Sequence, residues 1–576
     1  MFKLLKYLKG PSIICAIIAP IMMFIEVVMD LMQPKLMADI IDIGVASRNT
    51  SYVISIGGKM IFVALIGLIG GAACSVFASV AAMSMGEKLR QGLFDKIQTL
   101  SFLELDKFKS SSLITRLTND VTQVQHMMLM GLRIMVRAPL ICIGGFIMAV
   151  ALSPKLSLIF LVAVPVILVA VILILKKSFP LFLSVQERID SVNDVIRESI
   201  LGVRVIKAFT IENKQAERFD EVNYDLMDKS IKAQNMNMIL WPVVTLAMNL
   251  SVIGVLWFGG NMANKGMIEI GKIMAFINYL LQIMNSLMMV VMLVLNFSRA
   301  KASADRINEV LNTTSSIQDN KNSVKMTGFD IEFKDVSFKY NEHGDYVLKN
   351  ISFKVKEGEK IGIIGATGSG KSSFVSLIPR LYDATEGQVL IGGVDVKKLK
   401  LKELRDNIGV ILQDSILFSG TIEDNLKFGN DHADMELMEN AARDAQAHEF
   451  ITVKEHTYKS VVEQRGKNLS GGQKQRLSIA RTLIRNPKIL IMDDSTSALD
   501  MATEAKLQSS IKNRMANSTV LIIAQRISGV MDADKIIVLD DGKISAVGNH
   551  KELLKDNDIY SSIAVSQLGE EVLSNV

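Results

Sequence analysis

The sequence predicts two joined parts, an all-α membrane domain of six helices and an α/β P-loop nucleotide-binding domain. Three observations predict this. Six apolar runs in the first half are each long enough to cross a bilayer. A polar segment follows Asn312. From about Phe329 strand-like and helix-like segments alternate around a glycine-rich loop. The expected boundaries are residues 1–311 for the membrane domain, 312–328 for a linker and 329–576 for the nucleotide-binding domain. A chain that is 49% hydrophobic suits this division, and its mean hydropathy of +0.31 is high for a soluble enzyme.

Phe2–Lys9 reads as a short amphipathic helix at the membrane surface. The apolar runs lie at about 12–33, 58–83, 134–152, 156–175, 238–260 and 272–297. No small-residue cleavage site follows the first run, so it is read as a crossing and not as a cleavable leader. The gaps between runs two and three and between runs four and five are long, polar and helical in period, so they are expected to continue below the membrane. Lysine and arginine precede the first run and fill both long gaps, which puts the termini and both gaps in the cytoplasm. Ser112–Asp120 and Gly202–Phe209 lie near the expected turns and are candidates for contact with the cytoplasmic half.

Glu26 and Asp30 stand four apart inside the first crossing and so share a helix face. Ionisable groups in a span are costly and face a cavity or a partner. The pair is a candidate for the transport path, with a structural role near the outer end as the alternative. Arg133 and Arg137 read as interfacial residues that extend toward water. Methionine is abundant, with clusters at 127–130 and 284–292, and reads as lipid-facing or core filling, with a surface that re-packs around varied apolar ligands as the alternative. The three cysteines all lie in apolar stretches without metal spacing. The net charge of +5 is spread along the chain and does not suggest nucleic-acid binding.

Gly365-Ala366-Thr367-Gly368-Ser369-Gly370-Lys371-Ser372 fits the P-loop pattern at every fixed position. An apolar strand, Lys360–Ile364, precedes it and a helix begins at Ser373. The glycines let backbone N–H groups surround phosphate oxygens, and the helix start adds its positive end. Lys371 can reach the β- and γ-phosphates of ATP, and the Ser372 hydroxyl can ligate Mg²⁺. Gln413 follows a second apolar run. Ile489–Asp494 is four apolar residues ending in two acids, and a strand that delivers Asp493 beside the P-loop is suited to hold Mg²⁺ through its water shell.

With Leu469-Ser470-Gly471-Gly472-Gln473 added, the chain resembles an ABC transporter, specifically a half-transporter of the exporter type. Gln33-Pro34, the Asp39–Asp42 stretch, the long intracellular excursions and Arg299–Ile307 extend the resemblance through the membrane half. The resemblance implies roles. Tyr340 would stack on adenine, and Gly365–Ser373 would hold the phosphates. Gln413 would touch Mg²⁺ and relay to the membrane helices, and Asp493 would support the metal. Ser497-Ala498-Leu499-Asp500 would cross to a partner domain. Two such domains close head to tail in this family, so each ATP lies between one chain's P-loop and the other chain's signature.

Three positions depart from the family pattern. The Glu expected after Asp493 is Asp494, the His expected in Ile522–Arg526 is Gln525, and Gln464 stands where exporters often have Glu. Losing one methylene withdraws a carboxylate by roughly 1 Å, and misplacement on that scale costs about 10²-fold in rate. Gln525 cannot become a cation near neutral pH. The resemblance therefore implies the degenerate-site half of a heterodimer that exports an amphipathic or hydrophobic small molecule, lipid or peptide. The partner would be a different half-transporter carrying the Glu and the His, and the bilayer would be a bacterial plasma membrane. The alternatives are a homodimer with slow hydrolysis and an ATP-gated, channel-like subunit. The fused layout argues against an importer subunit, and the six runs argue against a soluble ATPase.

Overall fold

The structure is a computed structural model that describes residues 2–320, 322–341 and 343–569, with the backbone alone at Phe2, Val291, Met292 and residues 294–296. Lys321 of the expected linker and the Met292 side chain of the expected methionine cluster lie outside the described residues. The chain divides into two compact units. The first is Met1–Lys96 with Ser111–Asn312, and the second is Ile97–Ser110 with Thr313–Val576.

Long helices build the first unit. They are α1 (Pro11–Asp39) and α2 (Thr50–Gln98), then, beyond α3 (Phe102–Phe108) of the second unit, α4 (Val121–Leu152) and α5 (Pro154–Leu201). The short α6 (Val203–Phe209) leads to α7 (Glu212–Met238), α8 (Leu240–Asn264) and α9 (Ile270–Asn312). Among the described residues, six stretches are long and apolar enough to cross a membrane. Prolines at the first helical positions of α1 and α5 suit their missing N–H, and Ser153 caps α5 by accepting from Leu156 N at 3.4 Å. The Asp42 carboxylate accepts from the Gly271 and Lys272 amides at 2.5 and 3.1 Å, so it satisfies two free donors at the start of α9. Tyr279 of α9 is fully buried and donates to Leu31 O of α1 at 2.7 Å. Ala19, Phe160, Phe276 and Met284 fill the centre, while Phe62, Leu68 and Leu161 face outward as a lipid-facing helix requires.

Two details depart from the sequence reading. The N-terminal segment is a tight 3₁₀ helix, Phe2–Tyr7, and Leu4 is fully buried among Met85, Leu89, Val121 and Ile307. It docks onto the long helices because burying a leucine there removes more apolar surface from water than a surface position does. The segment that leaves the first unit is Ile97–Ser110, upstream of the expected Ser112–Asp120. Residues 116–120 instead tie two helices of the first unit together. Arg306 grips the buried Asp120 through two nitrogens, and Arg116 Nη1 reaches Arg306 O at 2.8 Å and Glu309 at 2.9 Å.

Among its described residues the second unit holds three sheets. Strands β1 (Ile331–Phe338), β2 (Leu348–Val355), β4 (Glu386–Ile391) and β5 (Val394–Asp395) form an antiparallel sheet in the order 2-1-4-5. Strands β3 (Lys360–Ile364), β6 (Ile408–Ile411), β9 (Ile489–Asp493), β10 (Thr519–Ile523), β11 (Lys535–Asp540) and β12 (Lys543–Gly548) form the main sheet, in the order 12-11-3-10-9-6. β7 (Gly420–Thr421) and β8 (Val461–Val462) make a small ribbon. The main sheet is parallel except at β12. Its central strands β9 and β10 are buried throughout and apolar except at Asp493 and Thr519, because both faces are covered.

Candidate functional site: a nucleotide pocket at the carboxyl edge of the parallel sheet

Register places the site. Ile363 pairs with Ile523, and Ile523 pairs with Asp493, so β3, β10 and β9 end at one level. Ligands bind outside the carboxyl ends of such sheets. Gly365 follows β3, Asp494 follows β9, Gln525 lies two residues past β10 and Gln413 two past β6. Asp494, Gln525 and Gln413 line one cavity of about 280 Å³ with Thr367, Gly368, Gly370, Lys371, Ser372, Ser373 and Asp493.

The loop has the form its sequence requires. Gly370 has φ +96°, and a Cβ there would fall 2.9 Å from Val347 O, so only glycine fits. Lys371 Nζ donates to Gly365 O at 2.9 Å and Ala366 O at 2.8 Å, which folds its ammonium over the loop. Ser369 Oγ is buried and has no partner among the described residues, which leaves a hydroxyl free to meet a phosphate. Tyr340 Oη and Ser373 Oγ share a hydrogen bond of 2.8 Å.

Burial holds the Lys371 ammonium below its ordinary pKa, against the opposing charges of Asp493 and Asp494. Burial raises Asp493, while the Ser372 hydroxyl and Lys371 oppose the shift. Asp494 is raised by burial first and then by the neighbouring Asp493 charge. The Ser372–Asp493 hydrogen bond sets a hydroxyl beside a carboxylate, with the Gln413 amide in the same cavity. This oxygen-rich set fits Mg²⁺, which takes one or two carboxylates together with phosphate oxygens.

Asp494 sits in a left-handed turn, φ 46°, which aspartate tolerates better than most residues. Its Oδ2 accepts from Gln525 Nε2 at 2.7 Å and from Gln413 Nε2 at 3.4 Å. Two of the three positions that depart from the family pattern, Asp494 and Gln525, thus bond to each other.

The signature is built separately. Ser470 caps the helix Gly471–Leu483, and Gln473 returns the bond to the Ser470 amide at 3.0 Å. Gln475 of that helix accepts from Ala498 N at 3.1 Å and donates to Ser497 Oγ at 3.4 Å. Asp500 caps the next helix, Met501–Arg514. The structure thus joins Leu469–Gln473 to Ser497–Asp500, but none of these residues lines the Lys371 cavity.

Sequence reasoning missed the way Ile97–Ser110 is held. Ser101 caps α3, and Glu104 returns the bond, a capping box legible as Ser-x-x-Glu. Glu104 also accepts from Ser316 N at 3.1 Å. Burial acts to raise the Glu104 pKa, but the Ser101 and Ser316 hydrogen bonds outweigh it and hold it low. Asp106 accepts from Tyr382 Oη at 2.8 Å, and the Tyr382 ring lies edge-on to Tyr340 with centroids 5.1 Å apart. Tyr382 therefore touches both the α3 turn and the residue expected at adenine. No local motif marks it.

In the first unit Arg137 pairs with both membrane acids, with Glu26 through Nη1 and with Asp30 at 2.8 Å through Nη2. The interfacial reading of Arg137 did not include these ion pairs. Its side chain is 31% exposed and lines the same cavity as both acids.

Family profiles match both halves. The profile described as ABC transporter transmembrane region covers residues 16–287, and the profile described as ABC transporter covers residues 348–497. A Bacillus subtilis protein named as an uncharacterized ABC transporter ATP-binding protein, YfiB, is 42% identical over 99% of both chains. The chain belongs to the ABC transporter family. Rv1273c of Mycobacterium tuberculosis, also named as an uncharacterized ABC transporter ATP-binding protein, is 37% identical over 96% of each chain. The solved structure of a bacterial Atm1-family ABC exporter with ATP bound shares the fold, with TM-score 0.81, 24% identity and coverage of 97% and 98%. The chain accordingly joins an ABC transporter transmembrane region to an ABC transporter ATP-binding domain, in the fold of that exporter. Its ATP-binding domain is that of an ATP-hydrolysing transporter family.

Proposed function

We propose that this ABC half-transporter is the slowly hydrolysing member of a heterodimeric exporter. One observation carries the reading: Asp494 and Gln525 are hydrogen-bonded to each other at 2.7 Å. A residue that orients the attacking water needs a carboxylate oxygen projecting toward the γ-phosphate. Asp494 is one methylene short, and its Oδ2 is taken by an amide. Gln525 gives one of its two amide N–H donors to Asp494 and carries no charge to offer a phosphate. The binding residues Tyr340, Lys371, Ser372 and Asp493 are present, so ATP would be held and cleaved slowly.

Ser372, Gln413 and Asp493 would hold Mg²⁺, which supplies charge neutralisation at the phosphates when bound. Leu469–Gln473 would serve the partner's ATP, and Ser497–Asp500 would cross beside it. A partner carrying the missing Glu and His would perform most turnovers. ATP-driven closure would shift the membrane helices from inward- to outward-facing. The division at 1–311, 312–328 and 329–576 is retained, except that Ile97–Ser110 is assigned to transmission. The turn α6 has no buried residue and leaves Val203, Val205 and Phe209 exposed, which supports docking on a second subunit. Lysine and arginine in both excursions support cytoplasmic termini and ATPase domain in a bacterial plasma membrane. Glu26 and Asp30 would line the path of an amphipathic or hydrophobic cargo. A Bacillus subtilis relative, YgaD, 33% identical over 85% of each chain, is named for multidrug export.

The test is ATPase activity of this chain purified alone, then together with the product of the adjacent reading frame. Negligible turnover alone and robust turnover together support the heterodimer. Robust turnover from this chain alone refutes it and leaves a homodimer.

A further inference from the structure

We infer that Arg133, with the Arg137–Glu26–Asp30 cluster, recognises the head of a zwitterionic amphiphile; this rests on the export reading and names its cargo class. The four side chains line one cavity of about 810 Å³ and are the only charged ones doing so among the described residues. Arg137 joins both acids, so that cluster holds one positive and two negative charges. Arg133 is exposed to the same cavity and forms no ion pair or hydrogen bond among the described residues. The wall as a whole is neutral but divided, with an excess negative charge at the acids and an excess positive charge at Arg133. The two arginines are four apart on α4, one helical turn. In a site of low dielectric, a ligand that leaves the wall neutral is favoured over one that adds a net charge. An anionic group on Arg133 and a cationic group at the acids meet that condition together.

The cavity also has room for the rest of an amphiphile. Gly71 on α2 faces Glu26, and a Cβ there would fall 2.8 Å from Glu26 Oε2, so this wall is kept open by glycine. A second cavity of about 450 Å³ shares Ile134 and Met289 with the first and adds Met130, Trp241 and Met288. Unbranched methionines adapt to varied apolar shapes, so this space suits an alkyl or aromatic body. Charged head and apolar body thus have adjoining compartments.

The test uses the full chain with its partner in nanodiscs, without nucleotide. Binding of radiolabelled N-dodecylbetaine is measured with dodecanoate and dodecyltrimethylammonium as competitors. Losing one charge-assisted contact weakens binding by about tenfold, so Arg133→Gln should do so and Arg133→Lys should retain most of the affinity. Arg133→Glu should invert the ranking and make dodecyltrimethylammonium the stronger competitor. The inference is overturned if wild type and Arg133→Glu rank the three probes alike. If phosphatidylethanolamine nanodiscs weaken probe binding relative to phosphatidylglycerol nanodiscs, the zwitterion is a lipid head; equal binding makes it a soluble amphiphile. Intact probe binding without ATP-driven uptake into inverted vesicles would instead refute export while leaving the site standing.

Discussion

Replacing Asp494 by Glu and Gln525 by His together should switch on hydrolysis at this chain's own P-loop. The longer side chain advances the carboxylate by roughly 1 Å, and restoring alignment on that scale is worth about 10²-fold. The structure explains why both changes are needed. Gln525 Nε2 lies 2.7 Å from Asp494 Oδ2, and a hydrogen bond to a charged group contributes about 1.5–3 kcal/mol. With Gln525 in place, the lengthened carboxylate would still be drawn toward the amide, so Asp494→Glu alone should recover only part of the gain. The assay is single-turnover phosphate release from the complex, with the partner's site silenced at its P-loop lysine. A double variant no faster than wild type would refute the view that this pair limits the chemistry. So would a Gln525→His variant that reaches the full gain while keeping Asp494.

Other outcomes follow from the same geometry. Lys371→Ala should weaken ATP binding by about tenfold to a hundredfold, measured by equilibrium dialysis, because a charge-assisted phosphate contact is lost. Arg306→Ala leaves the Asp120 carboxylate, 2% exposed, without its main partner and should cost about 1–3 kcal/mol, seen as earlier thermal unfolding. Glu104 has a depressed folded pKa, so its contribution is present above its ordinary value of 4.5 and is lost as pH falls through the lower folded value. The protection factor of the Ser316 amide, its exchange rate corrected for the intrinsic pH dependence, should therefore stay high at neutral pH and fall only in acid below 4.5, whereas Glu104→Ala should lower it at neutral pH.

The sequence alone determined what depends on local pattern. The spans follow from run length, because a bilayer has a fixed thickness and a backbone inside it must bond to itself. The P-loop is legible because glycine spacing, an apolar strand and a helix start are local requirements of one phosphate cradle. The capping boxes at Ser101 and Ser470 lie within four residues and are equally legible. Only the tertiary structure decided contacts between residues far apart in sequence. Arg137 meets Glu26 and Asp30 across more than a hundred residues, and no local period sets which helices pack together. Asp494 and Gln525 are brought into contact by the pairing of β9 with β10, which turns two separate departures from a family pattern into one hydrogen-bonded pair. Ile97–Ser110 joins the second unit through Glu104 and Asp106, whose partners Ser316 and Tyr382 lie more than two hundred residues on. Side chains bond to whatever the fold brings near, and a local sequence window holds only the residues close along the chain.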